Sequence, residues 1–389
     1  MQTCISLRRL PPLSLYLHYP WCLQKCPYCD FNSHALPANH QVNEDLQYLE
    51  CLLLDLQQQL SLIENRCVQS IFFGGGTPSL VSPKALQIFF NRLQKLIELA
   101  PAVEITMEVN PGTVTEDKLK GYREAGVNRL SIGVQSLQDI QLQAIGRIHN
   151  HREALQAIEW AQSIFPVVNV DFMYGLPQQT SKSARQDLER IIQTGVVHIS
   201  AYELTLEPHT WFFHHPPQLP TEKKLENIEQ QVRQTLQAGG YHRYEISAFA
   251  KNDYFCQHNL NYWQFGDYLG VGAGAHGKIT LPHQIVRTQR VKSPQAYLRA
   301  IKGQKIPATF LEEVSVQALP TEFMLNALRL LEGFPLSLYE ERTGLSIQNL
   351  QTPLTEAIEK RLITVDNGHL KPTPKGIKFL NFLLELFFT

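Results

Sequence analysis

Cys22, Cys26 and Cys29 stand in one short segment, Tyr16-Leu-His-Tyr-Pro-Trp-Cys22-Leu-Gln-Lys-Cys26-Pro-Tyr-Cys29-Asp-Phe31, directly after a short apolar strand, Leu15 to His18. The C-x3-C-x2-C spacing gathers three thiolates in one loop, the arrangement of a metal or a redox site. Structural zinc takes four closed ligands, and catalytic zinc usually includes histidine. Iron–sulfur clusters are held almost wholly by thiolates, so three cysteines would hold three irons of a [4Fe–4S] cube and leave the fourth open to a substrate or cofactor. Zinc and three unrelated buried thiols are the alternatives. A second signal is the run Gly74-Gly75-Gly76-Thr77-Pro78-Ser79, which follows a buried strand over Val68 to Phe73. Three glycines let a backbone approach a ligand closely.

The spacing and flanks of the cysteines resemble the radical SAM superfamily, in which the open iron is chelated by the amino and carboxylate groups of S-adenosylmethionine (SAM). One strand after the loop, the glycine run resembles the segment of that superfamily that receives the methionine end of the cofactor. Together they make zinc and unrelated thiols the weaker readings. Further motifs are Glu108-Val-Asn-Pro-Gly112, Gly126-Val-Asn-Arg-Leu-Ser-Ile-Gly-Val-Gln135, Ile145-Gly-Arg147 and Asn169-Val-Asp171-Phe-Met-Tyr-Gly-Leu-Pro. These resemble the oxygen-independent coproporphyrinogen III oxidase family over nearly the whole chain. The resemblance implies that Tyr16, Gly75, Gly76, Thr77, Glu108, Gln135, Arg147 and Asp171 line the SAM pocket. The chemistry agrees: carboxylates suit ribose hydroxyls and an ammonium, and a guanidinium suits a carboxylate. Taken singly, Glu108 and Asp171 read equally well as strand-end carboxylates that cap helices, and Gln135 and Arg147 as surface residues.

Two departures separate this chain from the oxidase itself. The oxidase carries a fourth cysteine two residues after the third, where Phe31 stands here, and a long extension before its cluster loop, where 21 residues precede Cys22. The pattern resembles instead the haem-chaperone branch of the family. In Cys256-Gln-His258-Asn259-Leu-Asn261-Tyr262-Trp263 a histidine stands beside aromatic rings, as haem requires. By itself His258 reads as a core histidine packed on Tyr262 and Trp263; the resemblance makes it the expected haem residue. Gly270-Val-Gly-Ala-Gly-Ala-His276-Gly277 follows, with His276 as the second candidate. The implied function is a haem chaperone with a [4Fe–4S] cluster and exchangeable SAM. The alternative is a radical SAM enzyme acting on a porphyrinogen.

The elements that must position these motifs are legible as well. Apolar, β-branched runs at Leu15–His18, Val68–Phe73, Glu104–Val109, Arg129–Val134, Val167–Met173 and His198–Leu204 alternate with helical patterns at Asn43–Ile63, Pro83–Leu99, Thr115–Ala125, His151–Ile164 and Ser181–Thr194. Such alternation gives a parallel sheet covered by helices, an α/β fold, and six units fit a partial (β/α)6 barrel. Ligands gather at the C-terminal ends of parallel strands, where the cysteine loop, the glycine run and Glu108 all fall. The expected domains are residues 1–205 as the radical SAM barrel and 206–306 as a family-specific extension with the haem segment. Residues 307–389 form the third, a winged-helix-like α+β domain of three helices and a hairpin with an Asn367-Gly368 turn. Phe379 to Phe388 reads as a buried terminal helix too short to span a bilayer.

Composition limits the partners. The 35 basic and 36 acidic residues leave a net charge of −1, with no global pull toward nucleic acid or anionic lipid. From Phe310 onward 7 Lys or Arg face 10 Asp or Glu, which disfavours a DNA-binding winged helix. Seven cysteines form no regular disulfide framework, and no apolar segment follows Arg8 and Arg9 as a signal peptide requires, so a reducing, cytoplasmic setting is expected. Cys4, Cys51, Cys67 and Cys256 are expected to be dispensable for the cluster. The expected partners are haem and a haem-accepting protein; weak association with a membrane or membrane protein and a homodimer stay open.

Overall fold

The computed structural model describes residues 5, 7, 9–37 and 42–388; Cys4 and Arg8 lie outside them. Six strands pair side by side in parallel: β1 (Leu13–Tyr19), β2 (Val68–Gly75), β3 (Leu99–Val109), β4 (Arg129–Gln135), β5 (Val167–Tyr174) and β6 (His198–Glu203). Between them run α1 (Val42–Ile63), α2 (Pro83–Leu93), α3 (Glu116–Glu124), α4 (His151–Ile164) and α5 (Ser181–Gln193). This is the expected partial barrel. Six of the seven residues of β1 are buried, as in a parallel strand covered on both faces. Side-chain caps fix where several helices begin: Ser82 accepts from the Ala85 N–H, and Asn150 with Glu153 forms a capping box. Helix α2 stops at Leu93 rather than Leu99, because Leu99 pairs with Val68 in the sheet.

The segment after residue 205 is woven into the same sheet. Following α6 (Glu222–Ala238) and α7 (Gln257–Trp263), strand β7 (Asp267–Val271) lies parallel to the open side of β1. Strands β8 (His276–Leu281), β9 (Gln284–Arg290) and β10 (Ala308–Glu313) continue antiparallel from it. The short strands Ala248–Ala250 and His242–Arg243 extend the other edge beyond β6, giving a twelve-stranded sheet among the described residues. Strand β7 was invisible to pattern reading because it opens on a charge. Asp267 is fully buried, and ion pairs neutralise it: Lys278 Nζ at 2.9 Å and Arg66 Nη1 at 2.6 Å, with a 2.7 Å hydrogen bond from the Thr280 hydroxyl.

Beyond β10 the chain builds a second core around Phe323 and Tyr339 with α8 (Leu319–Ala327), α9 (Ser337–Thr343) and α10 (Gln351–Glu359). The three helices precede the expected hairpin, Ile363–Asp366 with His369–Pro372. Asn367 and Gly368 sit at φ 49° and 75°, the left-handed pair that a two-residue turn of this hand requires. The short strand Phe334–Pro335 completes a three-stranded antiparallel sheet. The terminal segment departs from expectation: its helix is short, Leu380–Glu385, and only half-sunk. Leu383 and Phe387, four residues apart, share the buried face, while Phe382 on another face and Phe379 ahead of the helix remain 45% and 48% exposed.

Candidate functional site

A cavity of about 510 Å³ runs along the barrel interior to the C-terminal strand ends. It brings together Cys22, Cys26, Cys29, Gly75, Gly76, Thr77, Glu108, Gln135, Arg147 and Asp171. Tyr16 alone of the expected SAM set lies elsewhere: its side chain borders a neighbouring cavity, its hydroxyl 3.0 Å from His18 Nδ1.

The cysteine loop is pinned at both ends. Its exit is held by His34, whose N–H donates to the Pro20 carbonyl at 2.7 Å, and by Leu36, which donates to Cys22 at 2.8 Å. The glycine run is pressed against its entry. Gly76 and Thr77 donate to the Tyr19 and Trp21 carbonyls at 2.7 Å each, and a Cβ on Gly76 would fall 2.4 Å from the Trp21 oxygen. Gly75, at φ 116°, donates to Glu108 at 3.0 Å. The N–H groups of 75 to 77 are therefore engaged within the protein, which leaves carbonyl oxygens and Cα hydrogens for any ligand. Only weak contacts hold the thiols: Cys22 to the His34 carbonyl at 3.6 Å, Cys26 to the Gly146 carbonyl at 3.7 Å, Cys29 to the Ser33 hydroxyl at 3.5 Å. Burial and the neighbouring Cys29 and Cys26 push the Cys22 thiol up to about 11.

The barrel interior is electrostatically unfinished. Burial, reinforced by the Asp171 charge, pushes Glu108 up to about 8. Burial likewise pushes Asp171 up to about 6, opposed by hydrogen bonds from Asn169 and Ser131. Arg147 donates from Nη2 to the Gly133 carbonyl at 2.6 Å and from Nη1 to Cys26 Sγ at 3.7 Å, and its Nε is buried without a hydrogen-bond partner. Gln135 ends β4 at φ 68°, where the register with β5 slips, and its Oε1 accepts from the Tyr202 hydroxyl at 2.8 Å. Sequence reasoning missed the residues beneath: Ser131, Asn169, His198 and Ser200. They form one network, with Asn169 Nδ2 donating to Asp171 at 2.7 Å and His198 Nδ1 2.6 Å from the Asn169 side-chain Oδ1. Their signal was present, since polar residues recur at alternate positions of β4 (129, 131 and 135, with Gly133 between), β5 (169, 171) and β6 (198, 200, 202).

A second cavity of about 860 Å³ adjoins the first and shares Lys25, Cys29, Asp30, Phe31, Gly75 and Glu108 with it. Tyr262 and Trp263 border it; His258, three residues before Asn261 on the same helix, does not. The imidazole is 1% exposed, with Nδ1 3.0 Å from the Ser70 hydroxyl and Nε2 2.9 Å from the Tyr262 hydroxyl. It packs 5.1 Å from the Phe72 ring. Burial pushes it down to about 3, so it is neutral. Both ring nitrogens of His258, the expected haem residue, are thus engaged within the protein, and the residue does not line the cavity.

The radical SAM superfamily model matches residues 16–191, and the HemN C-terminal domain model matches residues 314–379. The heme chaperone HemW of Haemophilus influenzae is 45% identical over 386 residues, covering 98% of this chain and 99% of that protein. That of Escherichia coli is 45% identical over 383 residues, covering 97% and 99%. The chain belongs to the HemW family. Among solved structures, coproporphyrinogen III oxidase (HemN) of Escherichia coli, described as a radical SAM enzyme, shares the fold. Its TM-score is 0.83 over 98% of this chain and 91% of that one, at 23% identity.

Radical SAM membership implies a [4Fe–4S] cluster and SAM, and the residues of this HemW-family chain fit both. Three thiols with weak contacts answer to iron, whose positive charge offsets the burial and mutual repulsion that hold Cys22 up. No group of three or more His, Cys, Asp or Glu among the described residues is close enough to hold a single ion. A four-iron cube sets its ligands further apart than one ion does. Two buried carboxylates of raised pKa and a guanidinium with an idle N–H match a ligand that carries ammonium, sulfonium, hydroxyl and carboxylate groups. No described helix is long and apolar enough to cross a membrane.

Proposed function

We propose that the protein binds haem and passes it to an acceptor protein in the cytoplasm. Cys22, Cys26 and Cys29 ligate a [4Fe–4S] cluster, and exchangeable SAM sits among Gly75, Gly76, Thr77, Glu108, Gln135, Arg147 and Asp171. The observation that carries this reading is the wall common to both cavities: a ligand in the second meets Cys29, Phe31 and Gly75, which also line the first. Relatives named as heme chaperones, matching over nearly the full length, support it.

When bound, the cluster supplies one-electron chemistry and an open iron. The chain's own residues do the rest. Arg147 orients a carboxylate beside Cys26, and Glu108 and Asp171 receive ammonium and hydroxyl groups. Asn32 links the two cavities. Its Nδ2 donates at 2.9 Å to both the Ala273 and Lys292 carbonyls, so a movement of the cysteine loop reaches the wall of the second cavity. Phe31, where the oxidase has a cysteine, is 56% exposed and presents a flat apolar face to both spaces instead of a ligand.

One anaerobic sample decides between carrier and oxidase. After reconstitution, haem titration should give a saturable complex of about one haem per chain, and coproporphyrinogen III should persist at the level of a no-protein control. Formation of protoporphyrinogen above that control would overturn the carrier reading.

A further inference from the structure

The second cavity has the chemistry of a porphyrin site, and a histidine other than His258 is placed to serve it. Tyr16, Tyr262, Trp263 and Tyr268 give it aromatic walls, and its volume of about 860 Å³ lies within the range that accommodates cofactor-sized ligands. His276 opens β8 on this wall and is exposed. Its Nε2 lies 3.0 Å from the side-chain Nε2 of the half-buried Gln289, and among the described residues its Nδ1 makes no hydrogen bond. Two exposed cations, Lys25 and Lys292, border the same cavity, with Asp30 beside Lys25. Lys25 uses one donor on the Phe31 carbonyl at 3.1 Å and keeps two.

The backbone holds His276 firmly there. A Cβ on Gly270 would fall 2.0 Å from the His276 carbonyl oxygen, and one on Gly274 2.4 Å from Asn32 Nδ2. Glycine at both positions therefore lets the His276 strand and the cysteine loop close on one another. His258 stands behind this wall. Its hydrogen bond to the Tyr262 hydroxyl, and the 4.5 Å edge contact of Tyr262 with Tyr268, set the two rings that face the cavity.

We propose that haem sits in this second cavity with the His276 imidazole as its iron ligand and Lys25 and Lys292 toward its propionates, while His258 is a buried positioning residue for Tyr262. The inference rests on the haem-carrier reading and names its site. Imidazole satisfies the iron, tyrosine and tryptophan faces satisfy the macrocycle, and ammonium groups satisfy two carboxylates.

The test uses the full chain with its cluster reconstituted and haem as the probe, comparing wild type with His276→Ala, His258→Gln and His209→Ala. His209 is included because it is exposed and borders the same cavity. His276→Ala should shift the Soret band and the EPR spin state and weaken haem binding about tenfold or more. Iron content should hold, and added imidazole should restore the wild-type spectrum. His258→Gln should keep the wild-type Soret band and EPR signal at saturating haem, with circular dichroism confirming the fold. Unchanged spectra in His276→Ala would overturn the assignment, as would loss of the imidazole signature in folded His258→Gln or in His209→Ala. Wild-type protein that binds no haem at all would remove the carrier reading itself, a different result from haem bound without His276.

Discussion

The two cavities share a wall but are built on opposite principles. The barrel cavity is lined by charges that burial has left unreconciled: two carboxylates pushed toward protonation, a guanidinium with an unused N–H, and thiols held by weak contacts. The second cavity is walled by aromatic rings: the Tyr16 hydroxyl is engaged by His18 and the Tyr268 hydroxyl by Arg287 at 2.7 Å, while Trp263 Nε1 is buried without a partner. A site whose own groups conflict is completed by a ligand of opposite polarity and releases energy when it binds. A site walled mainly by rings offers shape and apolar surface, and holds its ligand by contact area and one or two points of ligation. The first suits a resident cofactor; the second suits a cargo that must leave.

The largest test of this contrast is removal of a thiol. Cys26→Ala should abolish cluster assembly, so that iron content falls from about four per chain to background. Cys51→Ala, Cys67→Ala and Cys256→Ala should keep it. A full cluster in Cys26→Ala would break the assignment of the barrel cavity.

Next in size is the buried ion cluster beneath the second cavity. Asp267→Asn leaves Lys278 buried without its counter-ion and should lower stability by about 3–5 kcal/mol in urea unfolding. A loss below about 1 kcal/mol would show that β7 does not depend on this cluster.

Asp171→Ala removes a charge-assisted hydrogen bond from the barrel cavity. It should weaken SAM binding by about 1.5–3 kcal/mol in calorimetry, while the haem affinity stays within twofold or so of wild type. Equal losses in both ligands would show that the cavities are not chemically distinct.

The most gradual effect is a pH slope, small at each step of pH. Glu108 titrates higher in the folded chain than in the unfolded one, so the folded state binds more protons between the ordinary glutamate range and about 8. Stability of SAM-free protein should therefore fall as pH rises from about 5 to 8, by up to about 1.4 kcal/mol per pH unit. Below that window the contribution is level. Glu108→Gln should flatten the slope, and a slope unchanged by this substitution would mean that Glu108 is not the group responsible.

The sequence by itself determined the parts whose signal is local. Cysteine spacing fixed the loop, periodic apolar runs fixed six parallel strands and most helix limits, and Asn367-Gly368 fixed the wing turn, because each depends on neighbours a few residues apart. The position of strand-end groups such as Glu108, Gln135 and Asp171 was legible for the same reason: in a parallel sheet every strand end shares one face. Only the tertiary structure decided what depends on distant partners. Strand β7 exists where it does because Lys278 and Arg66 neutralise Asp267, and α2 ends early because Leu99 joins Val68. Tyr16 borders the adjoining cavity rather than the first, its ring against His18 and Phe72. His258 and His276 look equally available as letters in a chain. The fold sinks the first between Ser70 and Tyr262 and leaves the second open on a cavity wall, since burial and hydrogen-bond satisfaction belong to the packed molecule rather than to the residue.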